Sequence, residues 1–542
     1  MNLFTDTFNK ISAVTAQQKP HLLSVLVGLF RMIFLSVAGV INAALSPNRD
    51  AVPHDSPLAT MLGGKDPWNL DFSLFQWTPR DGFLLRNALE SVAIFGELGA
   101  AKSTGSAAWI LLQYLSVGMG GLVCCVKPGE RELIEAYAKR TGRGDALIVV
   151  SPGNRWRCNL LRYALMRPGI VGSRVEAIVS LLMTIVEAAE RGERASLQGD
   201  KFWTRSLRQI LRNGIEVCIA ARGEVTMKML HEVISSAPRS HAEVHSEQWQ
   251  KESLCYRLIE EAEACEDKRS EREQGDFELA AKYFLREFPD MPNDTRGSIL
   301  ATYGVMADVL LRGHMAELFD GETNFIPDLT FDGAIIVLDL PTKVYGQAGV
   351  YVQSAFTYLW QTACEQRDVK ANPRPVFWFV DEAHELVCNY TPEFLATARS
   401  VRVASVLISQ NKPNYLAAMG GEAGRHRVDA FLGNIGTKIF HANGDPETNR
   451  WASDTISEEM QTRLNFHGGV EQGQGRGGGS EAPGRKVLPS EFTTLKKGGP
   501  QNGFVTDCIV YQTGASFAAN GGEPWLRTSF RQQIPGVTPA GK

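Results

Sequence analysis

The chain lacks the cysteine patterns of metal sites and redox motifs. Its nine cysteines include no C-x-x-C pair, and two of them, Cys124 and Cys125, lie inside an apolar run. Zinc sites and dithiol motifs place two cysteines at a fixed short spacing, so the sequence gives no support to either kind of site. We therefore expect reduced, buried thiols in a cytosolic setting.

The chain also has little net charge. Its 542 residues include 56 Lys and Arg and 60 Asp and Glu, a formal charge of −4 at pH 7. A protein that coats DNA by bulk attraction needs a strongly basic surface, so any nucleic-acid contact must be local, in a groove or a pore. The composition, 44% hydrophobic and 21% charged, is that of a globular chain long enough for two or three domains.

A phosphate-binding loop with one glycine missing occupies residues 94–104, Ile-Phe-Gly-Glu-Leu-Gly-Ala-Ala-Lys-Ser-Thr. In the pattern G-x-x-x-x-G-K-[ST], backbone N–H groups and the lysine surround the phosphates, and the hydroxyl binds Mg²⁺. Gly96, Lys102 and Ser103 fit this pattern. Ala101 stands where the second glycine belongs.

The flanks of this loop predict the strand–loop–helix context that the motif requires. Residues 89–95 are predicted as a strand and 103–115 as a helix rich in Ala, Ile and Leu. An ordinary glycine-rich turn before a helix is the alternative. If residue 101 needs a positive φ, its Cβ costs about 1–2 kcal/mol, so the site is either weakened or adapted.

A second apolar strand, residues 376–380, ends in the carboxylate pair Asp381 and Glu382. An aspartate at the carboxyl end of a buried strand can hold Mg²⁺, and a neighbouring carboxylate can polarise a water. A solvated carboxylate pair at a strand end is the alternative, but the run Val-Phe-Trp-Phe-Val is too apolar for an edge strand. With the phosphate loop, this strand indicates a machine driven by nucleoside triphosphate.

Near the N-terminus, residues 21–45 form an apolar stretch that is long enough to span a bilayer as a helix. Arg31 lies in its middle, and an arginine at the bilayer centre costs roughly 2.5–3.5 kcal/mol. A spanning helix, an interfacial helix and a helix packed on a partner protein are the alternatives. No small-residue cleavage pattern follows cleanly, which argues against a signal peptide.

Further along, strand and helix patterns alternate. A strand from Leu122 precedes a helix at 130–140 and a strand at 146–150, and this β-α-β order predicts a doubly wound, mostly parallel α/β sheet. Short apolar runs predict further strands at 333–340, 376–380, 404–409, 438–440 and 504–510. The predicted segments are an apolar N-terminal helix (1–46), a linker arm (47–84), the nucleotide domain (85–170 and 326–535), an inserted all-α domain (171–325) and a mobile glycine-rich loop (468–484).

This ordered set of motifs resembles the TraG/TraD-like coupling proteins of bacterial conjugation and type IV secretion, within the HerA/FtsK class of hexameric translocases. The resemblance covers roughly residues 85–530. Its marks are the phosphate loop, Val126-Lys-Pro-Gly-Glu, Phe379-Val-Asp-Glu-Ala-His-Glu-Leu, the run 397–411 and Gly433-Asn-Ile-Gly-Thr-Lys-Ile. It implies a RecA-like P-loop ATPase fold.

Roles for single residues follow from the resemblance. Lys102 would contact the β- and γ-phosphates, and Ser103 and Asp381 would bind Mg²⁺. Glu382 would position or deprotonate the attacking water. The remaining roles fall to Gln410 as γ-phosphate sensor, to Arg399 as an arginine finger for the neighbouring subunit, and to Gly99, Ala100, Ala101 and Thr104 as further nucleotide-binding positions beside Gly96.

The resemblance implies an ATP- and Mg²⁺-dependent motor that moves DNA, nucleoprotein or protein substrates into a secretion channel. Its expected partners are single- or double-stranded DNA or a nucleoprotein relaxosome, type IV secretion components and five further copies of itself in a homohexamer. Its expected place is the cytoplasmic face of the bacterial inner membrane. A docking scaffold that binds nucleotide without turnover and a cytosolic HerA/FtsK-like DNA translocase are the alternatives.

Overall fold

A nine-stranded sheet organises the residues that the computed structural model describes, which are 68–167, 174–190, 201–420, 424–467 and 476–533. Two two-stranded sheets accompany it. The strands are β1 (Ser73–Thr78), β2 (Asp81–Leu84), β3 (Val92–Phe95), β4 (Gly120–Cys125), β5 (Leu147–Val150), β6 (Ile335–Asp339), β7 (Val376–Val380), β8 (Val403–Ser409), β9 (Thr437–Phe440), β10 (Glu458–His467), β11 (Arg476–Arg485), β12 (Val505–Gln512) and β13 (Trp525–Arg531).

The strand order of the large sheet is β13-β12-β9-β3-β8-β7-β4-β6-β5. Every pair from β9 to β5 is parallel, whereas β12 is antiparallel to both of its neighbours. Parallel strands need crossover connections, and helices supply most of them here. The predicted mostly parallel α/β fold is therefore confirmed.

Apolar side chains cover both faces of this sheet. In β7, Val376, Trp378 and Val380 face one core, and Phe377 and Phe379 face the other. Strands buried on both faces are apolar throughout, which explains the unbroken hydrophobic run before Asp381. The second core is covered by β1, β2 and the helices α1 (Leu85–Leu89), α2 (Ser106–Ser116) and α3 (Glu130–Arg140); the next helix, α4 (Leu160–Met166), packs in the first core.

Between β5 and β6, the described residues from 174 to 319 are helical with short connections. Capping serines begin several of these helices; Ser270, for example, forms a capping box with Glu273. The helices are α5 (Arg174–Glu190), α6 (Lys201–Arg222), α7 (Met227–Ser235), α8 (His241–Val244), α9 (Glu247–Glu252), α10 (Leu254–Glu263), α11 (Glu271–Lys282), α12 (Phe288–Asp290), α13 (Asn293–Leu311) and α14 (Gly313–Phe319).

The remaining helices lie between the later strands and pack in the first core. The longest of them is broken at Gly346, where φ is 58°. They are α15 (Thr342–Gln366), α16 (Thr391–Ala398), α17 (Lys412–Ala418), α18 (Arg425–Gly433) and α19 (Pro446–Ile456).

Two segments predicted as irregular form strands. The end of the predicted linker arm, residues 73–84, is the β1–β2 hairpin, because Phe83 and Trp77 bury their rings in the second core. Most of the glycine-rich segment predicted as a loop, residues 476–484, lies in β11 and pairs with β10. Glycines can complete a backbone ladder, which needs no apolar side chain.

The predicted N-terminal helix at 21–45 lies outside the described residues. Among the helices of the described ranges, none combines the length and the hydropathy that a membrane crossing requires.

Candidate functional site

Four neighbouring parallel strands bring the predicted site residues to one edge of the sheet. β3, β8, β7 and β4 lie side by side, and the carboxyl ends of parallel strands meet at the same edge. Gly96, Gln410 and Asp381 directly follow β3, β8 and β7, and Lys127 is the second residue after β4. Distant segments of the chain therefore form one site; Ser103 and Asp381, for example, are 278 positions apart.

The phosphate loop runs from Gly96, after β3, to Gly105, before α2. Gly99 has φ of 80° and Ala101 has φ of 62°, so the predicted positive φ at residue 101 is present. A Cβ at Gly96 would lie 2.8 Å from the Cβ of His441, which excludes a side chain there. Helix α2 begins at Ser106, three residues later than predicted, because Lys102 to Gly105 belong to the turn.

The ammonium group of Lys102 lies inside this loop. Its Nζ donates to the carbonyl oxygens of Gly96 at 2.6 Å and Glu97 at 3.1 Å. Burial lowers the pKa of Lys102, and the negative charges of Asp381 and Glu382 oppose that shift. The loop thus keeps a positive charge at its centre, where phosphate groups would bind.

Ser103 and Asp381 form a direct contact across the site. The Ser103 hydroxyl donates to Asp381 Oδ2 at 2.6 Å, and Lys127 Nζ donates to the same oxygen at 3.1 Å. A hydroxyl and a carboxylate are the hard oxygen ligands that Mg²⁺ prefers. An ammonium group already contacts the shared oxygen, so this position accepts a cation, and the two predicted ligands fit Mg²⁺.

Glu382 occupies a strained and almost fully buried position. Its φ is 52°, a left-handed conformation that non-glycine residues seldom adopt. Its Oε1 accepts from Gln410 Nε2 at 3.1 Å and from Lys127 Nζ at 2.7 Å. Its Oε2 is buried without a hydrogen-bond partner and lies 3.6 Å from His384 Nδ1. Strain and an unpaired buried oxygen are typical of residues held for chemistry.

Arg399 is not brought to this site within the chain. It follows α16, near the amino ends of the strands, and its guanidinium pairs with Glu90 at 3.1 Å. The four residues of β3 separate the two edges of the sheet by about 13 Å. Arg399 therefore lies away from the phosphate loop of its own chain.

Two groups at the site, the buried His441 and the partly exposed Lys127, were not predicted from the sequence. The imidazole of His441 bridges Ser106 Oγ, at 2.8 Å from Nε2, and Thr506 Oγ1, at 3.3 Å from Nδ1. Burial, with the nearby charge of Lys102, lowers the pKa of His441 to about 3. Lys127 is the other group; the motif Val126-Lys-Pro-Gly-Glu marked its position but not its contacts.

A cavity of about 270 Å³ lies between α3 and the strands β4 and β7 and reaches Ser103, Lys127 and Asp381. At its rim, the Glu130 carboxylate accepts from the backbone N–H groups of Val126 and Lys127 at 2.8 and 3.1 Å. Burial and the charge of Asp381 raise the pKa of Glu130 to about 8. Glu130 thus anchors the backbone that carries Lys127.

The phosphate loop on β3, with Asp381 one strand removed on β7, defines the class of protein: the fold is that of a P-loop ATPase. Residues 375–496 match the family model described as the TraM recognition site of TraD and TraG. The search of the curated proteins found no match to the chain.

Solved structures of a plasmid coupling protein, TrwB, share the fold. TrwB with the non-hydrolysable GTP analogue GDPNP matches with a TM-score of 0.55 at 14% identity, covering 88% of this chain and 95% of that chain. TrwBdeltaN70, a bacterial conjugative coupling protein in its unbound monoclinic form, matches with a TM-score of 0.54 at 14% identity, covering 85% and 90%. TrwB with the ATP analogue ADPNP gives 0.52 at 15% identity, covering 88% and 95%. The predicted resemblance to TraG- and TraD-like proteins is thereby confirmed.

Proposed function

We propose that this chain is an ATPase that forms a homohexameric ring and couples ATP hydrolysis to the transfer of DNA or nucleoprotein substrates into a type IV secretion channel. The observation that carries the proposal is the buried Glu382 carboxylate, held by Gln410 beside the contact between Ser103 and Asp381. A scaffold that only binds nucleotide has no need of a carboxylate held to direct a water.

Each residue of the site has a role in this chemistry. Lys102 binds the β- and γ-phosphates, and the loop N–H groups orient them. Ser103 and Asp381 hold Mg²⁺, which supplies positive charge to the phosphate oxygens when it is bound. Glu382 orients the attacking water and accepts its proton through Oε2, the oxygen without a partner. Gln410 keeps the carboxylate in place through Oε1.

The match of residues 375–496 to a TraM recognition site supports a relaxosome component as a partner. We extend this to the other expected partners, which are single- or double-stranded DNA and type IV secretion components at the cytoplasmic face of the inner membrane. The net charge of −4 fits local DNA contact inside a ring rather than contact over the whole surface.

Glu382→Gln tests the enzyme. The amide cannot accept a proton, so hydrolysis should fall at least about 10²-fold while ATP binding persists. Turnover is measured with and without single- and double-stranded DNA, and Glu385→Gln, a neighbouring partly exposed carboxylate, is the matched control. Loss of ATP binding together with turnover would assign Glu382 a structural role, and turnover that ignores DNA would contradict the translocation part of the proposal.

One observation favours the second candidate, a docking scaffold that binds nucleotide without useful turnover. Ala101 carries its methyl group at φ of 62°, where the motif has glycine, and this can displace the N–H groups that meet the phosphates. A wild-type chain that binds ATP and shows no hydrolysis in the presence of DNA would select this candidate.

A further inference from the structure

Lys127 joins the two carboxylates of the site. Its Nζ lies 3.1 Å from Asp381 Oδ2 and 2.7 Å from Glu382 Oε1. Its side chain is 40% exposed, against 7% and 8% for the two carboxylates. The lysine therefore reaches the buried pair from the open side of the site, from which a nucleotide would enter.

The backbone of Lys127 is fixed while its side chain is long and rotatable. The Glu130 carboxylate accepts from the Val126 and Lys127 N–H groups and so anchors the turn after β4. A lysine has four flexible carbons and three donors, so the ammonium can turn to a new acceptor without a movement of the turn. This geometry allows the Lys127 ammonium to exchange one hydrogen-bond acceptor for another.

Lys127 balances the charge of the carboxylates. In the described part of the chain, it is the only Lys or Arg in ion-pair contact with Asp381 or Glu382. The other nearby lysine, Lys102, directs its donors to the carbonyls of Gly96 and Glu97. Two buried carboxylates need a cation, and Lys127 provides it when no metal ion is bound.

Mg²⁺ and the Lys127 ammonium compete for one oxygen. Asp381 Oδ2 accepts from both Ser103 and Lys127, and Ser103 and Asp381 are the proposed ligands of Mg²⁺. Two cations on one oxygen repel each other, whereas a bound triphosphate adds negative oxygens on the open side. The displaced ammonium then has an acceptor close by.

We infer that Lys127 is the resident counter-ion of Asp381 and Glu382 and that it moves to the terminal phosphate when a nucleoside triphosphate with its metal ion binds. The inference rests on the proposed nucleotide site and adds to it a contact that a diphosphate cannot make. Lys127 would therefore help the site to distinguish a triphosphate from a diphosphate, in addition to the contact that Lys102 makes with the phosphates.

Two binding measurements on the full chain test this inference. With Lys127→Met, affinity for a fluorescent non-hydrolysable ATP analogue should fall about 10-fold or more while affinity for the matching ADP derivative changes little, as expected for one charge-assisted hydrogen bond. Mn²⁺ binding without nucleotide, followed by electron paramagnetic resonance, should become about 10-fold tighter because the competing ammonium is gone. Lys127→Arg should keep the preference for triphosphate, and Lys139→Ala, an exposed lysine of α3, should behave as wild type.

Equal losses for the two nucleotides, or unchanged Mn²⁺ affinity, would overturn the inference and leave Lys127 a structural role. If Lys127→Met does not fold, as circular dichroism would show, Lys127→Arg decides: a preference for triphosphate like that of wild type supports the inference, and a lost preference in a folded Lys127→Arg chain opposes it. A wild-type chain that binds neither nucleotide contradicts the proposed function instead, and the Mn²⁺ measurement still tests the counter-ion role separately.

Discussion

The carboxyl edge of the sheet and the helical region, residues 174–319, bury charge in different ways. At the edge, Lys102, Asp381 and Glu382 are all nearly inaccessible and lie close together. In the described part of the helical region, the buried charged residue is Arg296, and its donors go to the carbonyls of Phe288 and Met291 and to Asn293. The sheet edge thus brings several buried charges together, whereas the helical region holds a single buried charge whose donors are hydrogen-bonded by nearby residues.

This difference in how charge is buried distinguishes residues that serve the fold from residues that serve a function. Burial of a charge is costly, so a fold uses it sparingly and satisfies each donor, as Arg296 is satisfied. The sheet edge departs from this at Glu382, which keeps one oxygen without a hydrogen-bond partner, and both Glu382 and Ala101 hold positive φ. Such strain persists only where the surrounding structure enforces it, and it concentrates at functional sites.

The largest expected contrast between the two regions comes from two separate variants, each of which removes one buried cation. Lys102→Ala should abolish ATP binding and turnover, because the loop loses its fixed positive charge while the fold remains. Arg296→Ala should lower the free energy of unfolding by about 1.5–3 kcal/mol, the range for hydrogen bonds to charged groups, and leave turnover per folded molecule unchanged. Nucleotide-binding assays and urea unfolding of both variants measure the contrast. Unchanged turnover in Lys102→Ala would remove the site assignment.

Arg399 extends the comparison to neighbouring subunits, since it lies at the opposite edge of the sheet with Glu90. If it acts on a neighbour, Arg399→Ala should lose turnover about 10³-fold or more, as expected for an arginine finger, and keep ATP binding. Mixing Arg399→Ala with Glu382→Gln should restore part of the activity, because some interfaces combine an intact Glu382 with an intact Arg399. Mixed rings that form, as size-exclusion chromatography would show, and stay inactive would contradict the role of Arg399 between subunits.

The sequence predicted the sheet well wherever a strand is buried on both faces. β7 was predicted at its observed bounds, 376–380, and β8 and β9 to within one residue, because unbroken apolar runs bounded by turns leave few alternatives. The β1–β2 hairpin, β10, β11 and β13 were missed. The hairpin lies at the end of a proline-rich segment, which favoured an irregular arm. The strand β11 is stabilised by backbone pairing with β10, and a glycine-rich sequence does not predict such pairing.

Within the candidate site, sequence motifs indicated which residues would be involved but not all of their contacts. The carboxylate of Asp381 and the ammonium of Lys127 come from segments 254 positions apart, and their contact follows from the adjacency of β4 and β7. The positive φ of Ala101 was predicted because the motif has glycine there. The positive φ of Glu382 and the bridge through His441 had no sequence signal, since they arise from tertiary packing.

His441 gives a pH-dependent contrast between the same two regions. Its pKa is about 3 in the folded chain, whereas an ordinary histidine titrates near 6.5. Between these values the unfolded chain binds a proton that the folded chain does not, so stability falls as the pH is lowered, by up to about 1.4 kcal/mol per pH unit. His441→Gln should remove this dependence, and His314→Gln, an exposed residue of α14, should keep it. Urea midpoints at pH 7, 6 and 5 measure the slopes, and equal slopes in all three chains would contradict the prediction.

Ala101→Gly carries the smallest expected effect and bears on how far the loop has adapted to a methyl group. The Cβ of Ala101 occupies space that Gly498 leaves open, because a Cβ at Gly498 would lie 2.8 Å from it. That space removes a clash but not the intrinsic cost of φ at 62°, about 1–2 kcal/mol. If the native loop is strained, glycine should raise nucleotide affinity or turnover by a factor of about 5 to 30.

Ala100→Gly is the matched control, because Ala100 is buried and is not among the described residues with positive φ, and it should bring no gain. Equal behaviour of Ala101→Gly and wild type in ATP titrations would mean that packing around Gly498 already compensates for the alanine, and the contrast between a strained sheet edge and a relaxed helical region would then rest on Glu382 alone.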